Sequence, residues 1–170
     1  MYAELLVLRV VHILSAIAWV GSGIFTSVFL IPALASSPAV MGQVLAGLQR
    51  RRYFVAIPIV ASLTILSGLR LLWIASGGFD PGYFATGPGR TFAISGVAAL
   101  IAFVLLMGVG RPAAVRAAVI SAKLTAAPEA ERKDLAAQLD RVRRRGAMAT
   151  MLAVGFGVLA ASGMAIARYV

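Results

Sequence analysis

The chain alternates four long apolar segments with shorter, more polar connections. The apolar segments cover residues 5–34, 53–75, 91–110 and 147–167. Because a helix crosses a bilayer with about 20 mostly apolar residues, each segment predicts one membrane-spanning helix. These runs are continuous, whereas the strands of a membrane barrel alternate apolar and polar residues. We therefore predict an all-α polytopic membrane protein, a four-transmembrane-helix bundle that forms a single domain over residues 1–170.

The first two connections carry different signals. In the first, Ser37 and Pro38 have the residue types of a helix start, and an apolar stripe follows as far as Arg50. This pattern predicts a short interfacial helix. The second connection, SGGFDPGYFATGPGR, is rich in Gly and Pro and predicts a loop.

The third connection, residues 111–146, is long and polar. It predicts that the third and fourth helices continue out of the membrane as a helical hairpin around Ala126–Pro128, a cytoplasmic helical extension between these two helices. Two pairs of opposite charge four residues apart, Glu129–Lys133 and Asp140–Arg144, support a helix there.

Charge sets the expected orientation. Twelve of the sixteen Lys and Arg residues lie in the first and third connections. The positive-inside rule therefore predicts cytoplasmic basic loops, with both termini outside a bacterial inner membrane. The net charge is +10, and the basic residues mostly lie beside the apolar segments. We therefore expect contact with the lipid bilayer and its anionic headgroups and no nucleic acid partner.

Three ionisable residues fall within or beside the outer halves of the spans: Arg9, His12 and Arg70. Such residues are costly in lipid and are functional candidates by default. His12 is the only histidine in the chain, and helical spacing places a polar and small stripe on its face, which we expect to point into the bundle. The stripe consists of Ser15, Trp19, Ser22 and Thr26. On the fourth span, the four-residue spacing of Gly157 and Ala161 predicts a second packing face.

Two interpretations of His12 stay open. In one, it is an axial ligand of haem b, with Arg9 or Arg70 paired to the propionates and Met164 as second ligand, or it joins Met164 at a copper ion. In the other, His12 hydrogen-bonds within the bundle while Arg9 and Arg70 reach the outer headgroups. The four spans carry no Asp or Glu and no nucleophile–base pair, which favours a non-catalytic role.

The stretch VVHILSAIAWVGSGIF, with His12, Trp19, Gly21 and Gly23, resembles the first-helix signature of four-helix membrane proteins of the copper resistance D (CopD-like) superfamily. LTILSGLRLLWIASGGF and GRTFAISGVAALIAFVLLMGVGRPAAVR are similar to its later helices. That group includes predicted integral membrane proteins, the membrane domains of cytochrome-linked urate oxidases and HemJ-type protoporphyrinogen oxidases. The resemblance implies a four-helix bundle and, in some branches, haem b or copper. Of the ligands used there, this sequence carries the first-helix histidine.

From these features we expect a non-catalytic integral membrane subunit that packs against other subunits within a larger bacterial membrane complex, such as a redox, respiratory or photosynthetic electron-transport complex. The small-residue faces and the sparse titratable chemistry favour this hypothesis. The alternative is a small haem b or copper-binding CopD-like protein that uses His12.

Overall fold

The computed structural model describes residues 2–170, apart from the side chains of residues 38 and 39, and within this part the chain forms helices and no strand. In chain order these helices are α1 (Tyr2–Leu34), α2 (Pro38–Arg50), α3 (Tyr53–Ala75), α4 (Pro81–Phe84), α5 (Gly87–Ala126) and α6 (Glu129–Tyr169). Four of them, α1, α3, α5 and α6, are long and apolar enough to cross a membrane. The predicted all-α fold with four spans is confirmed, and it indicates a multi-pass membrane protein.

The helical hairpin between the third and fourth spans is also present. Helix α5 has 40 residues and α6 has 41, so each is about 60 Å long at the usual helical rise, twice the thickness of a hydrocarbon core. Ala127 is extended and Pro128 caps the start of α6. The Asp140–Arg144 pair forms at 2.9 Å, but Glu129 bonds Arg132, one position before the predicted Lys133.

The first connection agrees with the sequence prediction and the second differs from it in part. Helix α2 forms as expected, although the Ser37 side chain makes no capping hydrogen bond. The second connection is not wholly a loop, because it contains the one-turn helix α4, and α5 starts at Gly87. Each start has a side-chain cap: Asp80 Oδ2 accepts from the Tyr83 backbone N–H at 3.2 Å, and Thr86 Oγ1 accepts from Gly89 N–H at 3.1 Å. Asp and Thr caps with proline in the first turn favour helix starts at these places.

Two short π-helical segments interrupt the long helices. Phe25–Leu30 lies within α1 and Leu106–Gly110 lies within α5. A proline follows each segment, Pro32 and Pro112. Proline has no N–H and its ring crowds the carbonyl four residues earlier, so a wider turn at these places has a local physical cause.

The helices pack as two pairs, α1 with α3 and α5 with α6. The pairs meet around Trp19, which is 6% exposed and approaches Phe103 edge-on with ring centroids 6.3 Å apart. The other buried residues of this core are small: Ala61, Ala102 and Ala153. In lipid, helices associate through close contact of such small residues, and larger, partly buried side chains such as Phe103 and Phe156 pack around them.

The packing face of α6 differs from the predicted one. Ala153, Gly157 and Ala160 are buried, whereas Ala161 is exposed, so its assignment to this face is corrected. A step of four residues in a helix of 3.6 residues per turn rotates the face by about 40°, and the buried face therefore moves from Gly157 to Ala160.

Candidate functional site

His12 lies half-buried on α1 and faces α3. Its Nδ1 is 2.9 Å from the Thr64 carbonyl oxygen and 3.2 Å from Ser67 Oγ. A carbonyl only accepts hydrogen bonds, so Nδ1 is the protonated nitrogen and donates to Thr64. In the neutral imidazole, Nε2 then keeps its lone pair.

Three buried hydroxyls extend this contact between α1 and α3. Ser15, Thr64 and Ser67 are all less than 10% exposed. Thr64 Oγ1 donates to Ser15 Oγ at 2.9 Å, and Ser15 Oγ donates to the Val11 carbonyl at 2.6 Å. Every buried side-chain nitrogen and oxygen among the described residues has a partner. A polar face of this kind is stable in lipid because its groups need no water.

Gly68 lets the imidazole lie directly against the α3 backbone. A methyl group at this position would lie 2.7 Å from His12 Cε1 and 3.1 Å from Nδ1, closer than atoms of this kind approach. Gly68 was not among the site residues predicted from the sequence. The available signal was the spacing of Thr64, Ser67 and Gly68, three and four residues apart on one helical face.

Arg70 has a partner that the sequence analysis missed. Its Nε and Nη2 donate to Glu4 Oε1 at 3.0 and 2.6 Å, and both side chains are about half exposed. This pair lies one turn beyond Ser67 on α3, on the side of the His12 contact nearer the start of α1. Arg9 is exposed, and no hydrogen bond is described for it within residues 2–170. Of the two arginines expected to pair with the propionates of a haem, Arg70 is therefore already bound to a carboxylate.

The remaining predicted residues fall into separate groups. Ser22 donates to the Trp19 carbonyl of its own helix at 2.9 Å, and Thr26 Oγ1 lies 3.1 Å from the Tyr53 hydroxyl on α3. Met164 is half-buried on α6, next to Gly163, which packs against Ser95 on α5. The contacts described for His12 lie on α1 and α3, and none joins it to Met164.

These residues do not complete a haem b site with two protein ligands. His12 supplies one nitrogen, and within residues 2–170 no three His, Cys, Asp or Glu side chains come together as a metal-binding group. The two described cavities lie between α5 and α6, beside Pro112 and Thr150, and not at His12. The arrangement fits a buried hydrogen-bonding contact that fixes α1 against α3.

The fold and this contact define the chain as a helical membrane protein with a hydrogen-bonded first pair of spans. Comparison with protein-family models, curated proteins and solved structures finds no match. The resemblance to the CopD-like superfamily therefore depends on the quoted motifs alone and stays a prediction.

A double-mutant cycle tests the fit of His12 against Gly68. Gly68→Ala should destabilise the protein by about 1–3 kcal/mol, because the added methyl group displaces the imidazole from Thr64. In a His12→Ala background the same change should cost almost nothing, which gives a coupling of roughly 1–3 kcal/mol. The measurement is denaturant-induced unfolding in detergent micelles. Equal costs of Gly68→Ala in the two backgrounds would contradict the described contact.

Proposed function

We propose that this chain is a non-catalytic integral membrane subunit that packs against other helices of a larger bacterial membrane complex. The supporting observation is a set of glycines in the spans that the bundle itself does not use. A methyl group added at Gly21, Gly96 or Gly155 would meet no other group within 4 Å. Glycine gives helices close access to one another in lipid, so open glycines on span surfaces suit contact with helices of other proteins.

Other glycines in the same spans have a partner within the bundle. A methyl group at Gly23 would lie 3.1 Å from Val154, and one at Gly157 would lie 3.3 Å from Val20. These two contacts join α1 to α6. Gly21 and Gly155 lie beside this junction along the chain, and both are exposed. Glycines with a close neighbour inside the bundle are therefore needed for folding, whereas glycines that face open space are available to a partner.

The polar residues of the spans support a non-catalytic role. His12 Nδ1, Ser15, Thr64 and Ser67 bond to one another or to backbone carbonyls, so these groups serve hydrogen bonds within and between α1 and α3. A redox, respiratory or photosynthetic complex would supply the chemistry through its other subunits.

Substitution of the open glycines tests this proposal. Gly21→Leu/Gly155→Leu should release the chain from a larger species on native gels of solubilised host membranes, because leucine prevents close helix contact. The same variant should keep the unfolding midpoint of the isolated protein, since both positions face open space. Mass spectrometry of the comigrating bands would identify the partner subunits.

Gly157→Leu is the matched control, because its side chain would collide with Val20. It should reduce the free energy of unfolding of the isolated protein by roughly 1–3 kcal/mol and so lower its unfolding midpoint. A wild-type chain that migrates alone in membranes solubilised with a mild detergent would contradict the subunit proposal, as would an unchanged complex in the Leu variant.

We also infer an orientation with both termini outside and with α2 and the α5–α6 hairpin in the cytoplasm. The support is the placement of twelve of sixteen basic residues on that side. The chain has no cysteine, so single cysteines report on sidedness. In bacterial spheroplasts, Ala85→Cys should react with a membrane-impermeant maleimide, and Ala126→Cys should react only after permeabilisation. The reverse labelling pattern would contradict this orientation.

One observation favours a second candidate function, a small haem b or copper protein that uses His12. Ligating histidines commonly donate their other ring N–H to a backbone carbonyl, and His12 Nδ1 donates to Thr64 in this way. The cofactor hypothesis predicts a Soret band, or bound copper, that is lost in His12→Ala and kept in Thr26→Ala, a control outside this contact. A gently purified protein that is colourless and free of metal would contradict it.

A further inference from the structure

A charged cleft lies between α5 and α6, away from His12. It has a volume of about 320 Å³, at the lower end of the range of about 300–1,000 Å³ for small-molecule sites. Three exposed arginines line it, Arg116 from α5 and Arg141 and Arg145 from α6. Gly108, Pro112 and Val142 form much of the remaining wall.

The backbone around this cleft explains why it stays open. Helices α5 and α6 pack closely on one side of it, where a methyl group at Gly146 would lie 2.9 Å from the Ala113 side chain. On the other side Gly108 has no side chain, and a methyl group there would meet no other group within 4 Å. Gly108 belongs to the π-helical segment, whose wider turn changes the rotation of the following residues, including Arg116.

The three arginines lack acidic partners in the described part of the chain. The described salt bridges on this hairpin join Arg132 to Glu129 and Arg144 to Asp140. Asp140, the acid next to Arg141 in sequence, is thus already bound to Arg144. Three like charges around one cleft repel one another, and an anion between them removes that repulsion. The planar guanidinium group binds phosphate oxygens in pairs.

The cleft lies where the apolar parts of both helices end. Gly108 is two residues before the end of the apolar segment 91–110, and Arg145 is two residues before the segment 147–167 begins. Arg116 and Arg141 are each six residues outside these segments, or about 9 Å at the helical rise. The headgroup layer is roughly 5–8 Å thick on each side of a bilayer. Arg145 therefore lies within this layer, and Arg116 and Arg141 lie at its outer edge, where their long side chains can reach back to the lipid phosphates.

We propose that this cleft is a binding site for a phosphate group, with the headgroup of an anionic phospholipid as its source. Arg116, Arg141 and Arg145 hold the phosphate oxygens, and Val109 and Val142 provide an apolar wall. Basic pockets between helices at a membrane surface have the chemistry to recognise such headgroups. The site is separate from the His12 contact and does not depend on the proposed subunit role.

Native mass spectrometry of the detergent-solubilised full chain, titrated with phosphatidylglycerol or phosphatidylcholine, tests this site. The wild type should bind phosphatidylglycerol at one saturable site and should bind phosphatidylcholine much more weakly. Arg116→Gln/Arg145→Gln should weaken phosphatidylglycerol binding by roughly tenfold or more, because each charged hydrogen bond contributes about that much. Arg145→Lys should show a smaller loss, since a lysine keeps the charge without the paired donors.

Arg50→Gln/Arg51→Gln is the matched control, because it removes two exposed arginines from the same membrane side, outside the cleft. It should change phosphatidylglycerol binding by less than about twofold. Equal weakening in both double variants would overturn the proposal, since binding would then follow net charge alone. Equal affinity of the wild type for the two lipids would overturn it as well.

A second experiment identifies the source of the phosphate. Delipidated wild-type protein is titrated with inorganic phosphate by isothermal calorimetry. Weak or absent heat, together with tight phosphatidylglycerol binding, supports a lipid headgroup. Saturable inorganic phosphate binding that is lost in Arg116→Gln/Arg145→Gln, without selective lipid binding, overturns the lipid source and retains the phosphate site.

Discussion

The hydrogen bond from the His12 imidazole to the Thr64 carbonyl is the interaction that sets how α1 lies against α3. In lipid no water competes for these groups, so a polar side chain on a span must find its partner in the protein. That requirement draws Ser15, Thr64 and Ser67 onto the same line of contact. It also requires a glycine at position 68, where any side chain would push the ring away. Trp19, one turn after Ser15, then faces the second helix pair.

The sequence predicted the local features of this fold because each has a local cause. Hydropathy defines the spans, and helical spacing puts Ser15 and Trp19 on the His12 face. The partners of these residues on other helices do not follow from such local causes. Glu4 and Arg70 are 66 residues apart, and which faces of two helices meet depends on their mutual rotation. No periodicity within one helix encodes that rotation, so Gly68 and Glu4 were not assigned to the site. Ala161 was misplaced for a related reason, since a strict four-residue repeat drifts away from the face of an α-helix.

The π-helical segments are a local feature that changes how one helix is rotated relative to its neighbour. In α5 the segment Leu106–Gly110 separates the apolar core, centred on Ala102, from the charged hairpin that begins at Arg111. The wider turn shifts the phase of the helix between these two parts. The part of α5 from Gly110 onward can then use Gly110 and Ala113 for close packing on α6 while Arg116 lines the cleft together with Arg141. Pro112 is the local cause of the wider turn. The charged cleft follows from the way α5 then packs against α6.

The two ends of the bundle differ in how they neutralise charge. At one end, Arg70 has Glu4 as a partner across the α1–α3 contact. At the other, Arg116, Arg141 and Arg145 gather around a cleft for which the described chain supplies no carboxylate. A cluster of cations that kept its charge uncompensated would favour separation of α5 and α6, yet the two helices pack closely beside it, at Gly146 and Ala113. An anion from outside the chain would offset this repulsion, and for this reason we propose the phosphate of an anionic phospholipid as the occupant of the cleft.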